Sequence, residues 1–352
     1  MDIVLEVFDT VFFDRFWAAV YPASSLAAYK ENPQHASTPT FSSMREMPTS
    51  IQPATKFFQL EPSRYAYLSE WPRDNIYRQG ASLFLITWIF GLVLYFICST
   101  LSYYLVFDHD TFTHPKYLKN QVRKEIRQTM QSMPFMSLCT APLFLLEVRG
   151  FGKLYDEPSD APFALYNILQ FPLFICFTDF FIYCIHRCLH HPLFYKRLHK
   201  KHHKWIMPTP FASHAFHPLD GFSQSIPYHV FPFLFPLQKF AYVALFVFIN
   251  IWTVLIHDGE YVANSYVING AACHTMHHLY FNYNYGQFTT IWDRLGGSYR
   301  QPNEELFSRE SKMSKDEWER QTLEMEKLQK EVEGDDDRDY GDESRRLQKK
   351  VL

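Results

Sequence analysis

Along the chain, long apolar runs alternate with short polar segments. Ala81–Phe107 runs 27 residues without a charge, and a helix needs only about 20 apolar residues to cross a bilayer core. Gln131–Leu146 is shorter and carries Pro134 and Pro142, which predicts a kinked, weaker span. Ala161–Ile185 has 25 residues and one charge, Asp179. Phe222–Ile256 has 35 residues and one charge, Lys239. As one helix it would measure about 52 Å, too long for a single crossing. It reads instead as a hairpin, Gln224–Leu237 and Phe240–Ile256, turning near Gln238 and Lys239. The pattern predicts an all-α polytopic membrane protein with about four to five membrane segments. Residues 1–22 are apolar but interrupted by Asp9, Asp14 and Arg15, which argues against a cleaved leader and for an interfacial or surface helix.

Charge orients the segments. Lys116, Lys119, Arg123, Lys124 and Arg127 follow the first span, and Arg187, Lys196, Arg197, Lys200, Lys201 and Lys204 follow the third. Basic loops stay cytosolic, so the N-terminus is expected in the lumen and the C-terminus in the cytosol. Residues 301–352 carry 16 acidic and 11 basic side chains and read as a solvated, partly disordered tail. The organisation expected is an N-terminal region 1–80, partly interfacial or disordered, a membrane and catalytic domain 81–300, and the tail 301–352. Lys349 and Lys350 stand fourth and third from the end, where a dilysine retrieval signal of the endoplasmic reticulum is read; such a signal is an address and not an anchor. Six cysteines without a C-x-x-C pair exclude a disulfide scaffold or a thiolate zinc site. No basic stripe suggests nucleic acid.

Histidine carries the chemistry. Thirteen of the 16 histidines lie between His186 and His278. They form His186-Arg-Cys-Leu-His190-His191, His199-Lys-Lys-His202-His203 and His274-Thr-Met-His277-His278. Residues three or four apart share a helix face, so each box can aim its imidazoles at a common point. Imidazole suits iron, copper, nickel and zinc. Eight ligands, with His191 as a ninth, are too many for one ion and about right for two. No Glu-x-x-His pair accompanies them, which separates the pattern from ferritin-type bundles. The topology puts all three boxes on the cytosolic face.

Other residues join them as candidates. Asp179 lies two helical turns before His186, and a charge inside a span is costly unless it works; it is expected to orient that imidazole. His257 is the best extra ligand, with Asp258 beside it as a supporting carboxylate. His214 and His217 are candidates for metal or substrate binding. His35, His109, His114 and His229 stand alone and are read as ordinary interfacial or core residues.

The boxes resemble those of the fatty acid hydroxylase and sterol desaturase superfamily. The likeness extends through Ser213-His-Ala-Phe-His-Pro-Leu-Asp-Gly221, Asn250-Ile-Trp-Thr253 and Ile256-His-Asp-Gly259. It continues through Val267-Ile-Asn-Gly-Ala-Ala-Cys-His-Thr-Met-His-His278, Phe281-Asn-Tyr-Asn-Tyr-Gly-Gln287 and Trp292-Asp-Arg-Leu-Gly-Gly297. Together these stretches are most similar to the fungal sterol C-5 desaturase branch, densely over roughly 130–300. The resemblance implies a non-haem di-iron enzyme of the endoplasmic reticulum. It would remove two hydrogens from C5 and C6 of a Δ7-sterol such as episterol, on the ergosterol path. Dioxygen would be the oxidant, with electrons from cytochrome b5 and its NADH-linked reductase. Whether His190 or His191 pairs with His186 stays open, since both spacings occur in related proteins. A membrane-dissolved sterol calls for an apolar, aromatic pocket, for which Phe171–Tyr183 and Pro227–Phe235 are rich enough.

Rival readings fit less well. A sterol C-4 methyl oxidase or a sterol or acyl hydroxylase shares the boxes and differs only in its pocket. A metal transporter would place its ligands near mid-span. A haem anchor needs only two axial histidines.

Overall fold

The computed structural model describes residues 1–23, 53–262, 264–336 and 338–340. His35, Lys349 and Lys350 lie outside the described residues. The fold is mostly helical; among the described residues the one named sheet is a two-residue parallel pairing, Leu154–Tyr155 with Leu237–Gln238.

Among the described residues, two helices are long and apolar enough to cross a bilayer, Ile76–Leu105 and Tyr166–Leu189. At 1.5 Å per residue they measure about 45 Å and 36 Å. The first presents Ile89, Val93, Ile97 and Leu101, spaced four apart, as an exposed apolar stripe. Such a stripe on a helix this long fits a lipid-facing surface. The second expected segment lies in the helix Gln121–Val148, which runs on through Pro134 and Pro142. The long run from Phe222 breaks as expected: one helix spans Pro218–Leu234, another Lys239–Leu255, and Leu237–Gln238 pairs between them. Lys239–Leu255 is apolar but only 17 residues long.

The chain divides into two compact units. One comprises Met1–Ile89, Ser137–Gln170 and Pro232–Val243. Its N-terminal helices, Asp2–Phe8 and Asp14–Val20, are joined by a π-helical turn. The acids that interrupt this apolar stretch are buried and paired. Asp14 meets Arg73 and Arg78, each at 2.6 Å, and Asp9 meets Arg78 at 2.9 Å. Removing one partner would leave a buried charge uncompensated, at about 3–5 kcal/mol. The segment is therefore pinned to the start of the first long helix.

The other unit comprises Phe90–Met136, Phe171–Phe231 and Ala244–Leu352. It holds all three histidine boxes. One core cluster joins Tyr195, Ile206, Met276, Leu279 and Phe281 to Leu306 and Met325; another joins Trp205, Ala212 and Ala215 to Leu118 and Tyr340. The described residues of 301–340 thus pack against this unit where their charge predicts a solvated extension. The helix Lys315–Val332 buries Trp318, Gln321, Thr322, Met325 and Gln329, a stripe at helical spacing with acids and bases on its other faces. The stripe is half polar, so composition hid it. The boundary expected at residue 300 falls inside this unit.

Candidate metal centre

Box one ends the helix Tyr166–Leu189, box two follows a π-helical turn at Tyr195–His199, and box three lies in the helix Ala271–Tyr280. They converge on two buried groups. The first joins His186, His190, His199, His203 and His277; the second joins His202, His257, His274 and His278. Within each group the ligand atoms lie within 4.8 Å of one another. Nε2–Nε2 distances are 3.0 Å for His186–His199 and His203–His277, and 3.2 Å for His203–His190. In the second group they are 3.0 Å for His274–His257 and 3.2 Å for His278–His274.

The boxes do not each serve one point, as their spacing suggests. Box two sends His199 and His203 to the first group and His202 to the second; box three sends His274 and His278 to the second and His277 to the first. Neighbouring helix residues diverge by about 100°, whereas residues four apart share a face. An H-x-x-H-H box therefore straddles two centres.

The outer nitrogens fix the tautomers. His186 Nδ1 donates to the Tyr285 carbonyl at 2.9 Å, His277 Nδ1 to the Tyr283 carbonyl at 2.7 Å, and His257 Nδ1 to the Thr253 carbonyl at 2.6 Å. His199 Nδ1 donates to Asp220 at 2.8 Å. With the proton on Nδ1, each neutral ring turns a bare Nε2 lone pair inward. Burial opposes a second proton: it drives His190, His202, His203, His274, His277 and His278 well below the usual imidazole range. His257 is pushed down to about 3 by the same cause. Lone pairs facing each other at 3.0 Å repel unless a cation lies between them. Ligand bonds of about 2.1 Å set neighbouring nitrogens about 3.0–3.4 Å apart, matching the separations found. The donor set fits a nitrogen-preferring transition metal in each group.

Several candidates stand elsewhere. His191 is exposed, and its Nδ1 accepts from the Leu193 amide as a helix cap, so His190 is the one brought into the cluster. His214 bonds Ser213 and Asn250, and His217 accepts from the Leu219 amide. Asp258 accepts from the Glu260 amide and makes no bond to His257; burial pushes its carboxyl up to about 7. Asp179 does not touch His186. Its carboxylate instead accepts from three consecutive amides, Gln287, Phe288 and Thr289, at 2.7–3.1 Å. Asp293 accepts from the Tyr285 and Gly286 amides and the Ser298 hydroxyl. A β-carbon at Gly286 would clash with the Thr289 carbonyl, so only glycine fits. The two carboxylates hold the loop that supplies the Tyr285 carbonyl to His186.

The carboxylate that does touch a histidine is Asp220, fully buried and also bonded to Gln224. Sequence reasoning gave it no role, although it stands three residues after His217. Asp220→Asn keeps size and one acceptor but removes the charge behind His199. Metal retention in the purified protein is expected to weaken about tenfold, with helix content unchanged. Undiminished retention would mean that the Asp220 charge does not act on the site.

The fold and site together define a mostly helical protein with two apolar helices long enough to cross a bilayer and two all-histidine groups that could hold metal. A family model for fatty acid hydroxylases matches residues 171–298. The chain is 66% identical to a Delta(7)-sterol 5(6)-desaturase of Aspergillus fumigatus, with 97% of each chain covered. It is 58% identical to one from Leptosphaeria maculans, again over 97% of each, and 46% identical to one from Candida albicans, over 97% of this chain and 99% of the other. No solved structure matches. The chain belongs to the Delta(7)-sterol 5(6)-desaturase family.

Proposed function

We propose that the protein introduces the 5(6) double bond into a Δ7-sterol, giving a Δ5,7-sterol in ergosterol biosynthesis. The observation that carries this is the convergence of nine imidazoles in two groups, eight of them buried and His190 half-buried, in a chain that matches Delta(7)-sterol 5(6)-desaturases over 97% of its length. No side chain can oxidise an unactivated C–H bond, so a metal cofactor must carry the step. Two iron ions, one in each histidine group, would deliver electrons to dioxygen and so activate it, the oxidant, to cleave such a bond. His186, His190, His199, His203 and His277 would hold one, and His202, His257, His274 and His278 the other.

The balance of the reaction sets its partners. Two hydrogens leave C5 and C6, and dioxygen becomes two waters. Two further electrons and two protons are required, which suits cytochrome b5 and its NADH-linked reductase. The chain's own part is to hold neutral imidazoles, fix their tautomers through backbone carbonyls and Asp220, and exclude water by burial.

The basic loops favour a cytosolic histidine unit in the endoplasmic reticulum membrane, with Lys349 and Lys350 serving retrieval. The crossings are the helices Ile76–Leu105 and Tyr166–Leu189, with Gln121–Val148 and the hairpin of Pro218–Leu234 and Lys239–Leu255 completing the membrane part. The test is to give membranes carrying the protein a Δ7-sterol, NADH and dioxygen. The expected product absorbs in the ultraviolet as a Δ5,7-diene. A C4-demethylated or hydroxylated sterol in its place would assign the protein to a sister activity.

A further inference from the structure

His203 differs from three of its neighbours in the first histidine group. His186, His199 and His277 each anchor Nδ1 on a carbonyl or carboxylate. His203 Nδ1 is buried with no hydrogen-bond partner among the described residues. The direction of its ring must therefore come from its backbone and from what packs on it. Both lead to the C-terminal segment. Arg338 Nη2 donates to the His203 carbonyl at 3.1 Å. Arg338 is itself held by Glu333 at 2.8 Å, and both side chains are almost wholly buried. The ring of Tyr195 lies 5.8 Å from that of His203 and 5.4 Å from that of His190. Its hydroxyl donates to Glu333 at 2.6 Å.

We infer that the C-terminal segment is a working part of the metal centre: Arg338 and Glu333 are positioning residues that set box two through the His203 carbonyl and Tyr195. The chemistry favours this over simple surface packing. A buried guanidinium stays charged and offers several donors in a fixed fork, so it can serve a carboxylate and a carbonyl together. In box two, His199 ends a π-helical turn, and His202 and His203 lie in the single short turn Lys200–His203 that follows it. A turn that short has little stability of its own, so an outside hold on its last carbonyl governs its geometry. The segment is in turn fixed to the same unit by Lys116–Glu326 at 2.7 Å and Arg300–Glu324 at 2.7 Å.

This rests on the histidine groups being metal sites, and the test separates the two ideas. The full-length protein in detergent is loaded with ferrous iron and challenged with EDTA, and iron release is followed. Arg338→Ala is expected to release iron about tenfold faster than the parent chain. Tyr195→Phe, which removes one hydroxyl, should shift release in the same direction by about threefold and add little on top of Glu333→Gln. Lys327→Ala, on the exposed side of the helix Lys315–Val332 in the same segment, should change nothing. Hydrogen exchange on the metal-free proteins should show lost protection confined to the stretch around Lys200–His203. Unaltered release in Arg338→Ala and Tyr195→Phe would overturn the inference, and so would protection lost throughout the unit. A parent chain that binds no iron would overturn the metal reading itself.

Discussion

Replacing His278 by alanine is expected to abolish Δ5,7-sterol formation, a loss of at least about a hundredfold, while the protein still accumulates in membranes. His278 stands in the group with His202, His257 and His274. That group has four imidazoles, so losing one leaves three. His203→Ala should be equally silent in turnover, but it disturbs the other group, in which its Nε2 lies 3.0 Å from His277 and 3.2 Å from His190. Metal analysis distinguishes two separate sites from one: each variant should lose roughly half of the bound metal, because the four- and five-histidine sets share no residue. Both alanines remove a buried ring, so part of any drop in abundance will come from the cavity, about 2–5 kcal/mol. Activity must therefore be scored per folded chain. Full turnover by His278→Ala would remove that residue from the site, and loss of all metal in either variant would mean a single coupled centre.

Much of this site is written in the sequence because spacing on a helix is a direct physical statement. Three boxes at i, i+3 and i+4 announced converging imidazoles, and His257 was found from its place at the end of an apolar run. Which imidazole goes to which group was not legible. It depends on the roughly 100° between neighbours and on the π-helical turn before Lys200, which shifts the register of box two. Nor could spacing alone choose between His190 and His191; the choice follows from the helix ending at Leu189 and restarting at Pro192, with His191 as the cap between. Asp220 escaped because a carboxylate 21 residues from its imidazole leaves no periodic trace. The C-terminal helix escaped for a different reason. Its buried stripe mixes Trp318 and Met325 with Gln321 and Gln329, and a charge count averages over the one face that matters.

Asp179 is where the sequence pointed to the right residue for the wrong contact, and its replacement should have the second largest effect. A carboxylate in an apolar helix was expected to face His186. It turns instead to the Gln287, Phe288 and Thr289 amides. Asp179→Ala would strand three N–H groups, the buried one of Phe288 at about 1–3 kcal/mol if nothing replaces the acceptor and the half-buried ones of Gln287 and Thr289 at less. The loop would then have to move, carrying with it the Tyr285 carbonyl that fixes the His186 tautomer. The expected result is a marked fall in melting temperature together with a loss of turnover of about ten- to a hundredfold. Asp179→Asn keeps one good acceptor but loses the charge, so it should lie between the alanine variant and the parent. Asp293→Asn should resemble it, since Asp293 grips the same loop at Tyr285 and Gly286. If Asp179→Ala kept its melting temperature and lost activity alone, the carboxylate would act on the reaction directly. If it kept both, Asp293 and the tight turn at Gly286 would suffice to hold the loop.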